Sequence, residues 1–459
     1  MRHGLRALIC LGLVGGAACN QVWNAVTTED CQPGSTNPEC ASTGWPTTGH
    51  GANSDPWLVT HNQVITQMTP WVLVLNFDNS ATSDQTMKAA QALATAIAVG
   101  SSYHGYQNAD APPFLQYQIR PIVDLTNYNP NNPTSNPNNP VAPSTWTNPS
   151  STLLPTDSTG QFDPSQLFQA QFADFGFSDM TVSPPRPLSL GELFENGLIN
   201  EVWVQDGELD LPTGPQRRFP LYLERKQRYD QSGAAVTGSG SFDCVGGGTP
   251  PTVCLPDIPC NVTVRMSHLD PIGGAGAGCD LEIRGWGIEG MWDALPEFQP
   301  DAAAFLNQDF DSRFGVRFNS WPEICTVTDA ENQMPCVSYP SPTSATGTYT
   351  DGTTWTIDPF LQGCGSSQFP PNAVWRGDFD DTTSNVQSRC EHFGLNDNPA
   401  GGDTYQMYPA AALAAQPQTY VGCGGDWQIY WRQSMPGYQN QATAHDGTPM
   451  KNWWPMLFY

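Results

Sequence analysis

The sequence predicts an α/β fold, with about four mainly parallel strands, flanking helices and a loop-rich, disulfide-stapled C-terminal region. Three observations predict it. Trp71 to Phe77 is a continuous apolar run, the pattern of a strand covered on both faces. An alanine-rich stretch from Ser83 to Val99 follows it. Leu115 to Leu125 then supplies the β-branched residues of a second strand, and strand, helix, strand in this order marks a parallel crossover.

Ser83 reads as the N-cap of the first helix and Gly100 as its stop. Pro164 to Phe175 predicts a short helix ended by Gly176, and Ser189 caps another that ends near Asn196 and Gly197. Ile199 to Val204 is the third strand and Val262 to Met266 the fourth. A glycine-rich loop, Gly273 to Gly278, opens a helical stretch from Cys279 to about Leu295, with Leu281, Ile288, Met291 and Trp292 at helical spacing. Beyond it, helical periodicity fades, and Trp, Tyr, Pro and Gly dominate.

The start of the chain predicts a destination. Arg2 and Arg6 precede an apolar run from Ala7 to Val14, then small residues, then Cys19, the layout of a secretory signal. The run is far short of the ~20 residues of a membrane span. Cys19 after Gly16-Ala17-Ala18 resembles a lipobox, so its thiol is the expected lipidation site and the lipid the expected link to the membrane. The expected organisation is a signal peptide over 1–18, a turn-rich tether over 19–66, and an α/β domain over 67–300. That domain carries an Asn/Pro-rich insertion at 127–159, and an aromatic, Cys-rich region fills 301–459.

The thirteen cysteines agree with export, since an oxidising compartment makes disulfides their default use. The expected pairs are Cys31–Cys40, Cys244–Cys254, Cys260–Cys279 and Cys325–Cys336, with Cys390 joined to Cys364 or Cys423. No CxxC occurs, so no structural zinc site is expected. Eighteen basic residues against 44 acidic ones give a net charge of −26, a surface that repels phosphate backbones and argues against nucleic acid as a partner. Arg225, Lys226 and Arg228 form the only dense basic stretch and read as a solvated face.

The glycine-rich loop matches neither GxGxxG in register nor a P-loop, so no nucleotide cofactor is implied. Glu282, Trp286 and Glu289 share one face of the helix after it, interrupted by Gly285, Gly287 and Gly290. Two carboxylates beside a tryptophan suit a general acid and base. His268, two residues before Asp270 at the end of the fourth strand, is the best single candidate base. No HExxH or GxSxG occurs, which excludes the commonest zinc-protease and serine-hydrolase arrangements. Fifteen tryptophans suggest a sugar-stacking surface, with Trp375, Trp427, Trp431, Trp453 and Trp454 as the natural set.

Five segments, Asn200 to Gln205, Gly278 to Gly290, Gly363 to Ala373, Trp427 to Trp431 and Asp446 to Trp454, carry a resemblance to a family of exported bacterial proteins without an assigned activity. In similar sequences the position of Trp286 is often His, followed three residues later by the acid that matches Glu289. The resemblance implies a His and Glu pair there, and in this chain the His is replaced. The expected function is an exported surface protein that binds an extracellular polymer, such as a polysaccharide, or a protein partner. The alternative is an extracellular hydrolase, degenerate if the replaced His is essential, using Glu282 and Glu289 as an acid-base pair with His268 or Asp270 assisting.

Overall fold

The computed structural model describes most of residues 31–124, residues 177–205, three strands within 222–269, and most of residues 336–458. The helices predicted at 164–175 and 279–295, the insertion at 127–159 and the start of the chain lie outside the described residues.

In chain order the first elements are β1 (Thr43–Trp45), α1 (Pro56–His61), β2 (Ile65–Met68), β3 (Trp71–Asn76), α2 (Ser83–Gly100), β4 (Gln118–Ile119) and β5 (Val123–Asp124). Then come β6 (Ser178–Asp179), β7 (Arg186–Pro187), α3 (Leu190–Glu195), β8 (Glu201–Gln205), β9 (Tyr222–Gln227), β10 (Phe242–Val245) and β11 (Thr263–Leu269). The C-terminal region adds β12 (Val337–Ser341), β13 (Ser344–Thr348), β14 (Thr354–Ile357), β15 (Gln387–Ser388), β16 (Gln406–Met407), α4 (Ala410–Ala414) and α5 (Gly425–Gln433).

The main sheet runs β10-β9-β11-β8-β3-β4, with β5 also paired to β3. β4, β5, β3, β8 and β11 run parallel to one another, while β9 is antiparallel to both of its neighbours, β11 and the edge strand β10. The basic stretch expected as a solvated face lies largely in β9, where Lys226 pairs with Asp243 and Arg225 with Cys244 of β10. Val72 to Leu75 of β3 are 0% exposed, which is why this strand reads as an unbroken apolar run.

The second predicted strand is split in two. Pro121 has no N–H for the ladder, so the pairing to β3 breaks between β4 and β5, although the Arg120 N–H still reaches the Val72 carbonyl at 2.8 Å. α2 starts one residue away from expectation. Thr82 is the N-cap: its hydroxyl accepts the Gln85 N–H, and the Gln85 side chain accepts the Thr82 N–H at 2.9 Å, a capping box. Thr86, Ala90, Leu93, Ile97 and Gly100 form the buried face of α2, spaced three and four apart.

One core joins the α/β body to the C-terminal region. Val72, Val74, Leu93 and Trp203 share it with Trp427, Trp431, Trp453, Trp454 and Phe458. Residues 43–66, expected as part of a tether, belong to the same body: Trp45, Leu58 and Ile65 are buried in this core, and β1 pairs with β2. A few large apolar residues are enough to fold a segment that is otherwise rich in Gly, Pro and Thr. The Trp45 ring meets that of Phe458 at 5.1 Å, so the N-terminal segment packs on the chain's end.

Disulfides join Cys31 to Cys40 and Cys364 to Cys390, two of the expected pairings, and Cys336 is also disulfide-bonded. They mark a protein of an oxidising compartment. No helix among the described residues is long and apolar enough to cross a membrane.

Candidate site at the carboxyl edge of the sheet

The order of the sheet reverses at β3. From β3 the chain crosses through α2 to β4 and β5 on one side, then returns to β8 on the other and continues outward to β11. The strand ends of β3 and β8 therefore diverge in connection, and open α/β sheets place ligands in the crevice at such a point.

Polar residues end the strands here. Asp124 of β5 pairs with Asn76 of β3, Asn76 with Gln205 of β8, and Gln205 with Leu269 of β11, one lateral row across the sheet. Asn76 and Gln205 are 0% exposed. Each follows an apolar stretch, and a buried carboxamide at the end of such a stretch needs hydrogen-bond partners. The Asn76 Nδ2 donates to the Ala81 carbonyl at 3.2 Å and ties the strand end to the loop before α2. The Phe77 N–H donates to the Gln205 carbonyl at 2.8 Å, joining the exits of both strands. The Ser83 hydroxyl donates to Asp124 Oδ2 at 3.3 Å, so the first turn of α2 faces the same edge.

The row consists of two buried carboxamides and one carboxylate held by a hydroxyl, polar groups with a single formal charge among them. That set suits a ligand recognised through hydroxyl or amide groups. Among the described residues no group of three or more His, Cys, Asp or Glu side chains is placed to hold a metal ion.

His268 lies in β11, in register with Val204 of β8 and one residue before the row just described. Its strand thus ends at the same edge as β3 and β8. Glu282, Trp286, Glu289 and Cys19 lie outside the described residues. Trp427, Trp431, Trp453 and Trp454 do not form a stacking surface. Each is at most 1% exposed, because their large rings fill the core that the scarce aliphatic residues leave open. Trp375 is half-buried. The expected aromatic ligand set is in this respect corrected: four of its five members are core.

Asn76, Gln205 and Asp124 were not singled out from the sequence. The signal is present in it, since each is the first polar residue after a strand's apolar run. Comparisons with known protein families, with curated proteins and with solved structures find no match to this chain.

Proposed function

We propose that this chain is an exported, lipid-anchored protein of the bacterial surface that binds an extracellular polymer or partner at the carboxyl edge of its parallel sheet. The observation that carries the reading is the row Asp124, Asn76 and Gln205 at the point where strand order reverses. The disulfides support an extracytoplasmic location, and the layout of residues 1–19 supports export with Cys19 as the lipidated residue. The likeness of five segments to exported bacterial proteins belongs with this reading. The mixed donor and acceptor set favours a neutral, hydroxyl- or amide-rich ligand, such as a polysaccharide or peptide, and the charge of −26 disfavours polyanions.

One observation favours hydrolysis as a second reading. The strand carrying His268 ends at the same edge, and Glu282 and Glu289 follow it in the sequence. Both readings are tested by passing the purified full-length protein over immobilised polysaccharides and peptides, scoring retention and released product together. Binding predicts retention without product, lost in Asn76→Leu and Gln205→Leu variants whose circular dichroism is unchanged. Product that disappears in Glu282→Gln or Glu289→Gln establishes the hydrolase instead. Retention that survives both leucine variants moves the ligand away from the sheet edge. Metabolic labelling with palmitate, lost in Cys19→Ser, tests the anchor.

A further inference from the structure

Glu201 opens β8 at its amino end, whereas Gln205 closes the strand at the carboxyl edge. The strand between them is about 13 Å long, so the cluster around Glu201 is distinct from the row of Asn76 and Gln205 and independent of any ligand bound there.

Side chains of a strand alternate between its faces, so Glu201 and Trp203 point the same way. Both are buried, Glu201 at 5% exposure and Trp203 at 1%. The indole Nε1 of Trp203 donates to Glu201 Oε2 at 3.0 Å. The other carboxylate oxygen, Oε1, accepts the Tyr117 hydroxyl at 2.6 Å, the length of a charge-assisted bond to an ionised carboxylate. Tyr117 stands just before β4, and β3 lies between β4 and β8 in the sheet, so the phenol reaches over β3 to make this bond. Its ring centroid lies 5.4 Å from that of Trp203. One carboxylate thus holds an indole and a phenol whose rings also pack together. Burying a carboxylate is costly even where hydrogen bonds satisfy it. What this one supplies is a proton acceptor in direct contact with two oxidisable rings.

Trp203 shares the main core with Trp427, Trp431, Trp453 and Trp454, each at most 1% exposed. Indole and phenol are the aromatic side chains most readily oxidised by one electron. An indole radical cation formed in such a core is a desolvated charge, costly wherever no anion faces it. Beside Glu201 it is stabilised by the carboxylate, which makes Trp203 the place where it settles. Tyr117, half-buried and packed on the same core, is the next ring on the way out.

We propose that Tyr117, Glu201 and Trp203 form an exit for oxidising equivalents: Trp203 collects an electron hole from the tryptophan core, and Tyr117 discharges it. The oxidant is an oxygen-centred radical of the medium, which takes one electron from the core and is reduced to its anion. Trp203 is left as the indole radical cation. Tyr117 then gives one electron to Trp203 and its hydroxyl proton to Glu201 Oε1. The products are neutral Trp203, a phenoxyl radical on Tyr117 and a protonated Glu201, and no bond between heavy atoms forms or breaks. A small phenol in the medium next gives an electron to Tyr117 and releases its own proton to water, while Glu201 returns the proton it held. By this route a protein of an oxidising compartment keeps its core tryptophans intact.

The test is flash photoionisation of the tryptophans in the full-length protein, with ejected electrons scavenged and indole and phenoxyl radicals followed by their visible absorption. The expected result is a phenoxyl signal that grows as the indole signal decays, at a rate independent of protein concentration and slowed in heavy water. Glu201→Gln is expected to slow this step about tenfold or more, because the positioned proton acceptor is gone. Tyr117→Phe is expected to leave the indole radical long-lived. A rate unchanged in Glu201→Gln, or a phenoxyl yield unchanged in Tyr117→Phe, overturns the proposal. Should either variant fail to fold, photo-oxidation of the natural protein followed by peptide mapping decides. Tyr117 is expected to be modified ahead of Tyr438, whose hydroxyl accepts the Gln439 Nε2–H at 3.2 Å. Tyr438 reacting as fast as Tyr117 or faster overturns the exit.

Discussion

Gly197 and Gly51 meet backbone to backbone: a Cβ on Gly197 would stand 2.7 Å from the Gly51 carbonyl carbon and 2.8 Å from its oxygen. Gly197 also has φ +63°, closing the turn from α3 towards β8. Both facts demand glycine, and neither neighbour is a side chain that can swing aside. Gly197→Ala is expected to destabilise the protein by about 2–4 kcal/mol, from left-handed strain and overpacking together. Urea unfolding measures it, and a midpoint equal to that of the natural chain would show that the close approach does not exist.

Asn200 holds the same junction through its side chain. Its Oδ1 accepts the Trp71 N–H at 2.9 Å, and its Nδ2 donates to the Gly51 carbonyl at 3.0 Å and to Asn53 Oδ1 at 2.9 Å. The Asn53 Nδ2 donates back to the Asn200 carbonyl at 2.9 Å, and Asn200 is 0% exposed. The start of β3, the approach to β8 and the 51–53 loop are thus pinned by one carboxamide. Asn200→Ala should cost about 3 kcal/mol, because it strands several buried groups at once. Asn200→Asp keeps the acceptor and removes the donors, so comparable loss at neutral pH is expected, easing when the carboxyl is protonated. A change under about 0.5 kcal/mol, the range of an ordinary surface substitution, refutes the clamp.

Cys364 and Cys390, both 0% exposed, are joined across 26 residues of the C-terminal region. Constraint of the unfolded chain by a loop of this length predicts about 3 kcal/mol of stabilisation. The double variant Cys364→Ala, Cys390→Ala should therefore unfold at markedly lower urea concentration. It should also raise exchange in 389–406, since Cys390 fixes the start of that segment. Unchanged exchange there would mean that the segment's other contacts, among them Arg389 with Asp403 and Phe393 in the core, hold it without the disulfide.

The central strand was legible because a strand covered on both faces leaves an uninterrupted apolar record, as Val72 to Leu75 do. α2 was legible from its alanines, and its N-cap moved only to Thr82. Less was readable where long-range contacts decide. Trp45 and Phe458 meet across almost the whole chain, and nothing local in residues 43–66 marks a segment that folds against the C-terminus. β9 was hidden because Arg225 and Lys226 read as solvated charge, whereas their backbones pair with β10. The tryptophans were visible as a set, but burial depends on neighbours the sequence does not name. Asn76 and Gln205 gained meaning only from strand order, and His104 only from the docking of α2 on α5, where its N–H reaches the Gln433 carbonyl.

The pH dependence of stability separates His104 from the carboxylates. Above pH ~6.5 the ring is neutral in folded and unfolded chains alike, so it contributes no slope. Between ~6.5 and the folded value of about 4, to which burial lowers the ring, the unfolded chain binds a proton that the folded one refuses, so stability falls as pH falls. At most one proton is involved, and the total approaches roughly 3 kcal/mol at pH 4. Asp397 acts lower. Burial raises its carboxyl, but the Thr404 N–H, His392 and the Thr404 hydroxyl outweigh that and hold it down to about 2. Its contribution is complete above the unfolded carboxylate value of ~3.9 and is lost only as pH drops through about 2. His104→Asn should therefore flatten the decline between pH 6.5 and 4 and leave the steeper acid limb in place. Urea midpoints at pH 7, 5.5 and 4.5 for both proteins measure this directly. Two curves that run parallel through that window would show that His104 titrates alike folded and unfolded, and the buried imidazole would then have no part in the acid response.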